Sequence, residues 1–190
     1  METTITRIQN WYKLNCNGDW EHSYGYSISN LDNPGWTVRI DIQETALRNL
    51  DYIKNFQNTD NEFDWYNIET KEDSLIITCG PDNLEQTLRI FLDEIIPNYS
   101  DSEFNYDIYL PLSGFKSKIW TPAKGKVINE KTIQLTEIST VNYKEIKVKD
   151  LDIIDFNQAD LEKMTLNYKI GDIVRVDLLN VCDGLVLTVK

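Results

Sequence analysis

The chain has 190 residues, of which 41% are hydrophobic and 26% charged, a composition typical of a folded protein rather than a disordered one. Its 31 acidic residues outnumber its 19 basic residues and give a formal charge of −12. A nucleic-acid binder needs positive charge to contact phosphates, so direct binding of nucleic acid is disfavoured. A basic protein partner is favoured instead, because opposite charges attract before contact.

Nothing in the sequence predicts a membrane span, a secretory signal or a cofactor. No run approaches the ~20 apolar residues of a membrane helix, and residues 1–10 are polar and mixed. The three cysteines, Cys16, Cys79 and Cys182, are too far apart for a zinc pattern or a disulfide framework. We therefore expect a cytoplasmic protein with inert, buried thiols and no metal.

The charge is unevenly distributed, and this predicts two domains. Residues 1–97 carry 17 acidic and 7 basic residues, whereas residues 98–190 carry 14 and 12. Pro97 is expected to end the helix before it, because proline lacks the amide hydrogen that a helix needs. The polar, turn-rich residues 98–105 follow. We place the boundary here, giving domains 1–97 and 98–190.

The first half is predicted to alternate helices with hairpins. A short amphipathic helix from Thr4 should end by Gly18. Alternating apolar residues indicate strands near 24–28 and 36–42, separated by the turn-forming residues 31–35.

A second helix is predicted from about Thr45, where apolar residues recur at helical spacing. Residues 63–68 and 75–79 resemble a second hairpin, and residues 84–95 a third helix. The expected order is α-β-β-α-β-β-α, an α+β architecture in which helices cover one face of two hairpins.

The second half is predicted to be mainly β. Alternation marks strands near 106–110, 133–135, 146–148 and 174–178, and residues 185–189 form a continuous apolar run. One short helix is expected near 157–164. Many short strands with frequent turns favour a small antiparallel barrel or sandwich.

The densest group of chemically active side chains lies in residues 17–25, which include the only histidine, His22. A catalytic interpretation makes His22 a general base with Glu21 or Asp19 as its partner. In a strand, however, Glu21 and His22 would point to opposite faces, and no serine or cysteine nucleophile motif accompanies them. We therefore assign no catalytic or metal-binding residues, and expect this segment to be structural or to form a binding surface.

Aromatic and acidic residues of the first half have two interpretations each. Most tryptophans of so small a domain are expected in its core, but an exposed ring among acids would anchor an interface. A run of acids is usually a solvated face. The excess of ten negative charges in residues 1–97 favours a patch complementary to a basic protein.

Three segments resemble the Immunity protein 53 family of bacterial polymorphic-toxin systems. They are Trp11-Tyr12, the motif Asn17-Gly18-Asp19-Trp20-Glu21-His22-Ser23-Tyr24-Gly25, and Leu31-Asp32-Asn33-Pro34-Gly35-Trp36. The resemblance covers residues 5–96 and does not extend to residues 98–190. It implies a non-catalytic protein that binds and silences a cognate toxin, for which a basic nuclease is one candidate.

The sequence therefore predicts an acidic immunity protein without enzymatic activity. The expected partner-binding residues are Asp19, Trp20, Glu21, His22, Tyr24, Asp32 and Trp36. Two alternatives remain open. One is a small enzyme that uses His22 with Glu21 or Asp19, and the other is a regulatory module whose β domain binds a peptide along a strand edge.

Overall fold

A computed structural model describes residues 2–114, 119–139, 164–181 and 184–189. It confirms a mixed fold with few helices and two largely antiparallel sheets of five strands each. The helices are α1 (Thr4–Asn15), α2 (Trp20–Ser23), α3 (Leu84–Ile90), a π-helical segment (Phe91–Ile95) and α4 (Ile96–Tyr99). No helix in this part of the chain is long and apolar enough to span a membrane.

The first sheet has the strand order β1-β2-β5-β4-β3 and is antiparallel throughout. Its strands are β1 (Tyr26–Leu31), β2 (Gly35–Asp41), β3 (Ile53–Gln57), β4 (Trp65–Lys71) and β5 (Ser74–Cys79). Helices α1 and α3 pack on one face, where Trp11, Trp20 and Phe91 are each at most 2% exposed. The Trp11 ring meets the Phe91 ring edge-on at 5.2 Å, so aromatic packing holds the helices on this face.

The second sheet has the order β10-β6-β7-β8-β9, and β9 also pairs with β10, so each strand has a neighbour on both sides. Its strands are β6 (Tyr106–Pro111), β7 (Trp120–Asn129), β8 (Thr132–Ile138), β9 (Ile173–Val181) and β10 (Gly184–Val189). All pairs are antiparallel except that of β10 with β6.

Four of the strands predicted for the second half are present, and β7 was missed. Pro122, Gly125 and alternating lysines weaken the strand pattern of β7. The glycine is needed there because a Cβ at Gly125 would collide with Ile133 and the Gln134 backbone. The strand predicted at 146–148 and residues 157–163 of the predicted helix lie outside the described residues.

The helix predicted from Thr45 is wrong, because residues 43–49 form successive turns. The Thr45 hydroxyl donates to the Ile42 carbonyl at 2.7 Å and accepts from the Leu47 amide at 3.0 Å. The side chain thereby replaces the backbone bonds of a regular helix. The next regular element is not a helix but strand β3, which begins at Ile53.

Pro97 lies inside a helical segment, so the expectation that it ends the helix was wrong. The preceding residues 91–95 form a wide π-type turn, in which the Ile96 amide donates to the Phe91 carbonyl five residues back. Pro97 then occupies the first turn of α4, where an amide hydrogen is not required. The chain continues helically to Tyr99.

Buried contacts join the two halves across the predicted boundary at Pro97. Leu14 of α1 and Ala46 pack into the core of the second sheet. The Tyr106 hydroxyl donates to Asn15 Oδ1 at 2.9 Å, and it accepts from the Ala46 amide at 3.4 Å. The boundary between domains 1–97 and 98–190 stays a prediction, but the sheets share these buried side chains.

Candidate partner-binding site

The acidic, tryptophan-containing motif folds as a tight turn followed by helix α2. Asn17 Oδ1 accepts from the amides of Asp19 and Trp20 at 3.0 and 2.9 Å. The Glu21 carboxylate accepts from the amides of Asn17 and Gly18, each at 3.0 Å. Gly18 has a φ of +98°, which favours glycine. The polar members Asn17 and Glu21 therefore satisfy the backbone of the turn.

The aromatic members of the predicted site belong to the core. Trp20 is 1% exposed, and its indole N–H donates to the Gln43 carbonyl at 2.9 Å. Tyr24 is half-buried against the Trp20 ring. The indole N–H of Trp36 donates to the Pro81 carbonyl at 2.9 Å, and its ring packs against the core of the first sheet. Burial leaves Trp20 no surface to offer a partner.

The remaining predicted residues are exposed and lie before and after β1 in the chain. Asp19 and His22 belong to the turn and helix α2 that precede the strand, and Asp32 lies in the turn that follows it. The structure therefore separates the predicted site into core side chains and exposed polar side chains. The exposed side chains flank one strand.

The geometry gives no support to a catalytic pair at His22. Both Glu21 oxygens accept backbone amides, and the His22 amide donates to the Asp19 carbonyl at 3.1 Å, but within the described residues the His22 imidazole makes no hydrogen bond to the carboxylate of Glu21 or Asp19. Among the residues that the structure describes, no group of three or more His, Cys, Asp or Glu side chains could hold a metal ion. Burial raises the pKa of the Cys16 thiol to about 11, which disfavours the reactive thiolate at neutral pH.

A cleft of about 350 Å³ lies at the junction of the two halves, and the sequence did not predict it. Carboxylates of Asp19, Glu44 and Asp107 line it together with Leu14 and Tyr106. These residues come from separate segments that only the folded chain brings together. Of the three carboxylates, only that of Asp107 approaches a cation in the described structure, the Lys124 ammonium at 4.0 Å.

The comparison with known families agrees with the motif. Residues 5–95 match the family model of Immunity protein 53. The match confirms the resemblance predicted from the tryptophan-containing segments, and it spans the first sheet, α2 and the helices that cover that sheet. It ends before the second sheet. No curated protein and no solved structure matches the chain.

Proposed function

We propose that this chain is an immunity protein that binds and neutralises a cognate bacterial toxin. The observation that carries the proposal is the match of residues 5–95 to Immunity protein 53. An antidote acts by occupying its target rather than by turnover. The lack of a pairing between His22 and either neighbouring carboxylate fits that role.

The charge distribution supports an electrostatic mode of binding. Residues 1–97 hold 17 of the 31 acidic residues but only 7 of the 19 basic ones. Exposed Asp19 and Asp32 flank β1, and Asp19 also lines the cleft with Glu44 and Asp107. Such a surface accelerates association with a basic protein, and a nuclease with a phosphate-binding cleft is one toxin of that kind.

The partner can be identified by affinity co-purification of the tagged full chain from its own cells. We expect one stoichiometric protein with a basic domain, recovered at low salt and released at high salt because salt screens exposed charges. Mass spectrometry identifies it. Recovery of no stoichiometric partner at either salt concentration, from cells shown to express the chain, would contradict the proposal.

A charge-reversal pair tests the acidic surface directly. Asp19→Lys with Asp32→Lys raises the net charge from −12 to −8, since each reversal adds two charges. The matched control, Glu103→Lys with Glu137→Lys, makes the same change at exposed sites in the second half. Glu21 is left intact because it builds the turn.

We expect the first pair to slow association with the recovered toxin about tenfold at low salt, and the control pair by much less. Surface plasmon resonance at two salt concentrations measures both rates. Equal effects of the two pairs would show that only the net charge matters. No effect of either would remove the electrostatic mechanism.

A further inference from the structure

Strand β1 is an open edge of the first sheet. Within the described residues it pairs with β2 alone, in continuous register from Tyr26 opposite Ile40 to Leu31 opposite Gly35. Every residue of β1 except Leu31 is exposed. No bulge interrupts the pairing, so the free side of the strand is straight enough to continue the sheet.

The hydrogen-bonding pattern shows which residues face outward. The Asp41 amide donates to the Gly25 carbonyl at 2.9 Å, so these two residues form a hydrogen-bonded pair. In an antiparallel ladder such pairs alternate with non-bonded ones. The N–H and C=O groups of Tyr26, Ile28 and Asn30 therefore point away from β2, toward a missing neighbour.

Proteins usually protect such an edge, and β1 lacks the usual protection. Edge strands commonly carry lysine, other charges or proline, which block pairing with another chain. The sequence of β1, Tyr-Ser-Ile-Ser-Asn-Leu, has none of these. The opposite edge, β3, carries Lys54, whose ammonium binds Glu94 at 2.6 Å. The two edges of one sheet therefore differ in how readily they accept a strand.

The side chains of β1 offer apolar contacts to a neighbouring strand. Tyr26 and Ile28 are each 36% exposed and lie on the face of the sheet that carries the helices. The Tyr26 ring stands edge-on to Tyr12 of α1 at 6.1 Å. Cross-strand pairs of aromatic and β-branched residues stabilise sheets, so an incoming strand with valine or threonine side chains would fit here.

The acidic residues before and after β1 indicate which charges an incoming strand should carry at its ends. Exposed Asp19 comes before β1 in the chain, and exposed Asp32 follows it directly. The cation of the neighbouring strand, Arg39, is already paired with Asp41 at 3.0 Å. Lysine or arginine at both ends of an incoming strand would therefore meet carboxylates. A second copy of this chain is disfavoured, because each copy has a charge of −12.

We propose that β1 is a docking edge to which the toxin adds a strand with an uncharged centre and basic ends. The identity of the partner as a toxin rests on the proposed function, whereas the acceptance of a basic strand does not. Main-chain hydrogen bonds to Tyr26, Ile28 and Asn30 would provide affinity, and the flanking acids would select the partner.

A peptide titration tests the edge without the toxin. The probe is the capped peptide Lys-Thr-Val-Thr-Val-Lys, and its counterpart has glutamate at both ends. Amide NMR spectra of the isotope-labelled full chain report where each peptide binds. We expect the basic peptide to shift the amides of Tyr26, Ile28 and Asn30 most, with a dissociation constant near 1 mM, and the acidic peptide to shift none.

Two proline variants make the test specific to the backbone. Ile28→Pro removes an outward N–H in the middle of β1 and leaves the bonds to β2 intact, so we expect binding to weaken at least about tenfold. The matched control is Asn55→Pro in β3. Asn58 donates to the Asp64 carbonyl at 2.9 Å, so Asn55 also faces outward, and this variant should bind normally. Ile28→Ala separates the side-chain contribution.

Three results would overturn the proposal. They are shifts centred on β3 or elsewhere, equal binding of the acidic peptide, and no shift up to about 5 mM, where a 1 mM site is mostly filled. Thermal unfolding of each proline variant verifies that it is folded. Failure of the titration would leave the immunity role intact through another surface. Failure to recover a toxin would not alter the peptide result.

Discussion

The two sheets of this protein end in different ways. The first sheet stops at β1 and β3, whereas each strand of the second sheet has a neighbour on both sides within the described residues. A closed sheet has no unpaired backbone groups to offer, but an open one does. Recognition through the main chain is therefore available in the half that matches Immunity protein 53. The alternative of a peptide site along a strand edge in the second half finds no free edge among the strands that the structure describes there.

The second sheet contributes to the first through shared contacts. Arg7 of α1 donates to Glu130 at 2.7 Å, and Glu130 is 3% exposed. The same arginine donates to Asp93 at 2.7 Å. Helix α1 covers the first sheet and also packs against the second. The second sheet therefore helps to hold α1 in place on the first sheet.

The largest expected effect comes from the core under the open sheet. Trp20→Ala should lower the free energy of unfolding by about 3–5 kcal/mol, because it empties a buried site and removes the bond to Gln43. Chemical denaturation measures the change. His22→Ala, two residues away and exposed, should change it by less than about 0.5 kcal/mol. Similar values for both variants would contradict the division between core and surface.

A somewhat smaller effect tests whether the two halves depend on each other. Arg7→Met leaves the Glu130 carboxylate buried without its partner and should cost about 3 kcal/mol. Adding Glu130→Leu should restore most of this loss. The control, Arg89→Met, breaks an exposed pair with Glu85 and should cost less than about 0.5 kcal/mol. If Arg7→Met left the free energy of unfolding of the first half unchanged, the stabilities of the two halves would be independent.

The smallest effect distinguishes the two edges of the first sheet. Hydrogen bonds from Lys54 and from Tyr52 hold the pKa of Glu94 below its ordinary value of 4.5. A carboxylate with a depressed folded pKa stabilises the protein above the unfolded value, and this is lost as the pH falls through the folded pKa.

Glu94→Gln should therefore flatten the loss of stability below about pH 4.5, by less than about 1 kcal/mol since the pair is partly exposed. Chemical denaturation at pH values from about 3 to about 7, which span the titration of this carboxyl group, measures the change in stability. Glu62→Gln, an exposed change in the loop after β3, is the control and should leave the profile unchanged. A profile of Glu94→Gln identical to that of the parent would show that β3 is not secured by this ion pair.

Local patterns predicted the hairpins well. The alternation of Trp36, Val38 and Ile40 identified β2, and the turn signal at residues 31–35 identified its connection to β1. The same reasoning failed at Thr45, where apolar residues at helical spacing are held in turns by a side-chain hydroxyl. It also missed β7, since the close approach of strands at Gly125 leaves no apolar pattern.

The candidate site was predicted only in part. The motif identified the family segment and placed acids beside β1, but it grouped Trp20 and Glu21 with side chains that a partner can reach. The sequence placed Tyr26 and Ile28 in a predicted strand but did not indicate that this strand lies at the edge of a sheet. An uncharged strand between Glu21 and Asp32 was visible in the sequence, yet nothing local shows whether such a strand lies inside a sheet or at its edge.

The sequence by itself determined the composition of the surface, the acidic first half, most strands and the resemblance to Immunity protein 53, because charge and local periodicity are properties of neighbouring residues. Only the tertiary structure decided that β1 is an edge, that the second sheet closes through β9 and β10, and that Asp19, Glu44 and Asp107 share a cleft. These features depend on pairing between residues far apart in the chain. Such pairing is set by the packing of the whole core rather than by any one segment.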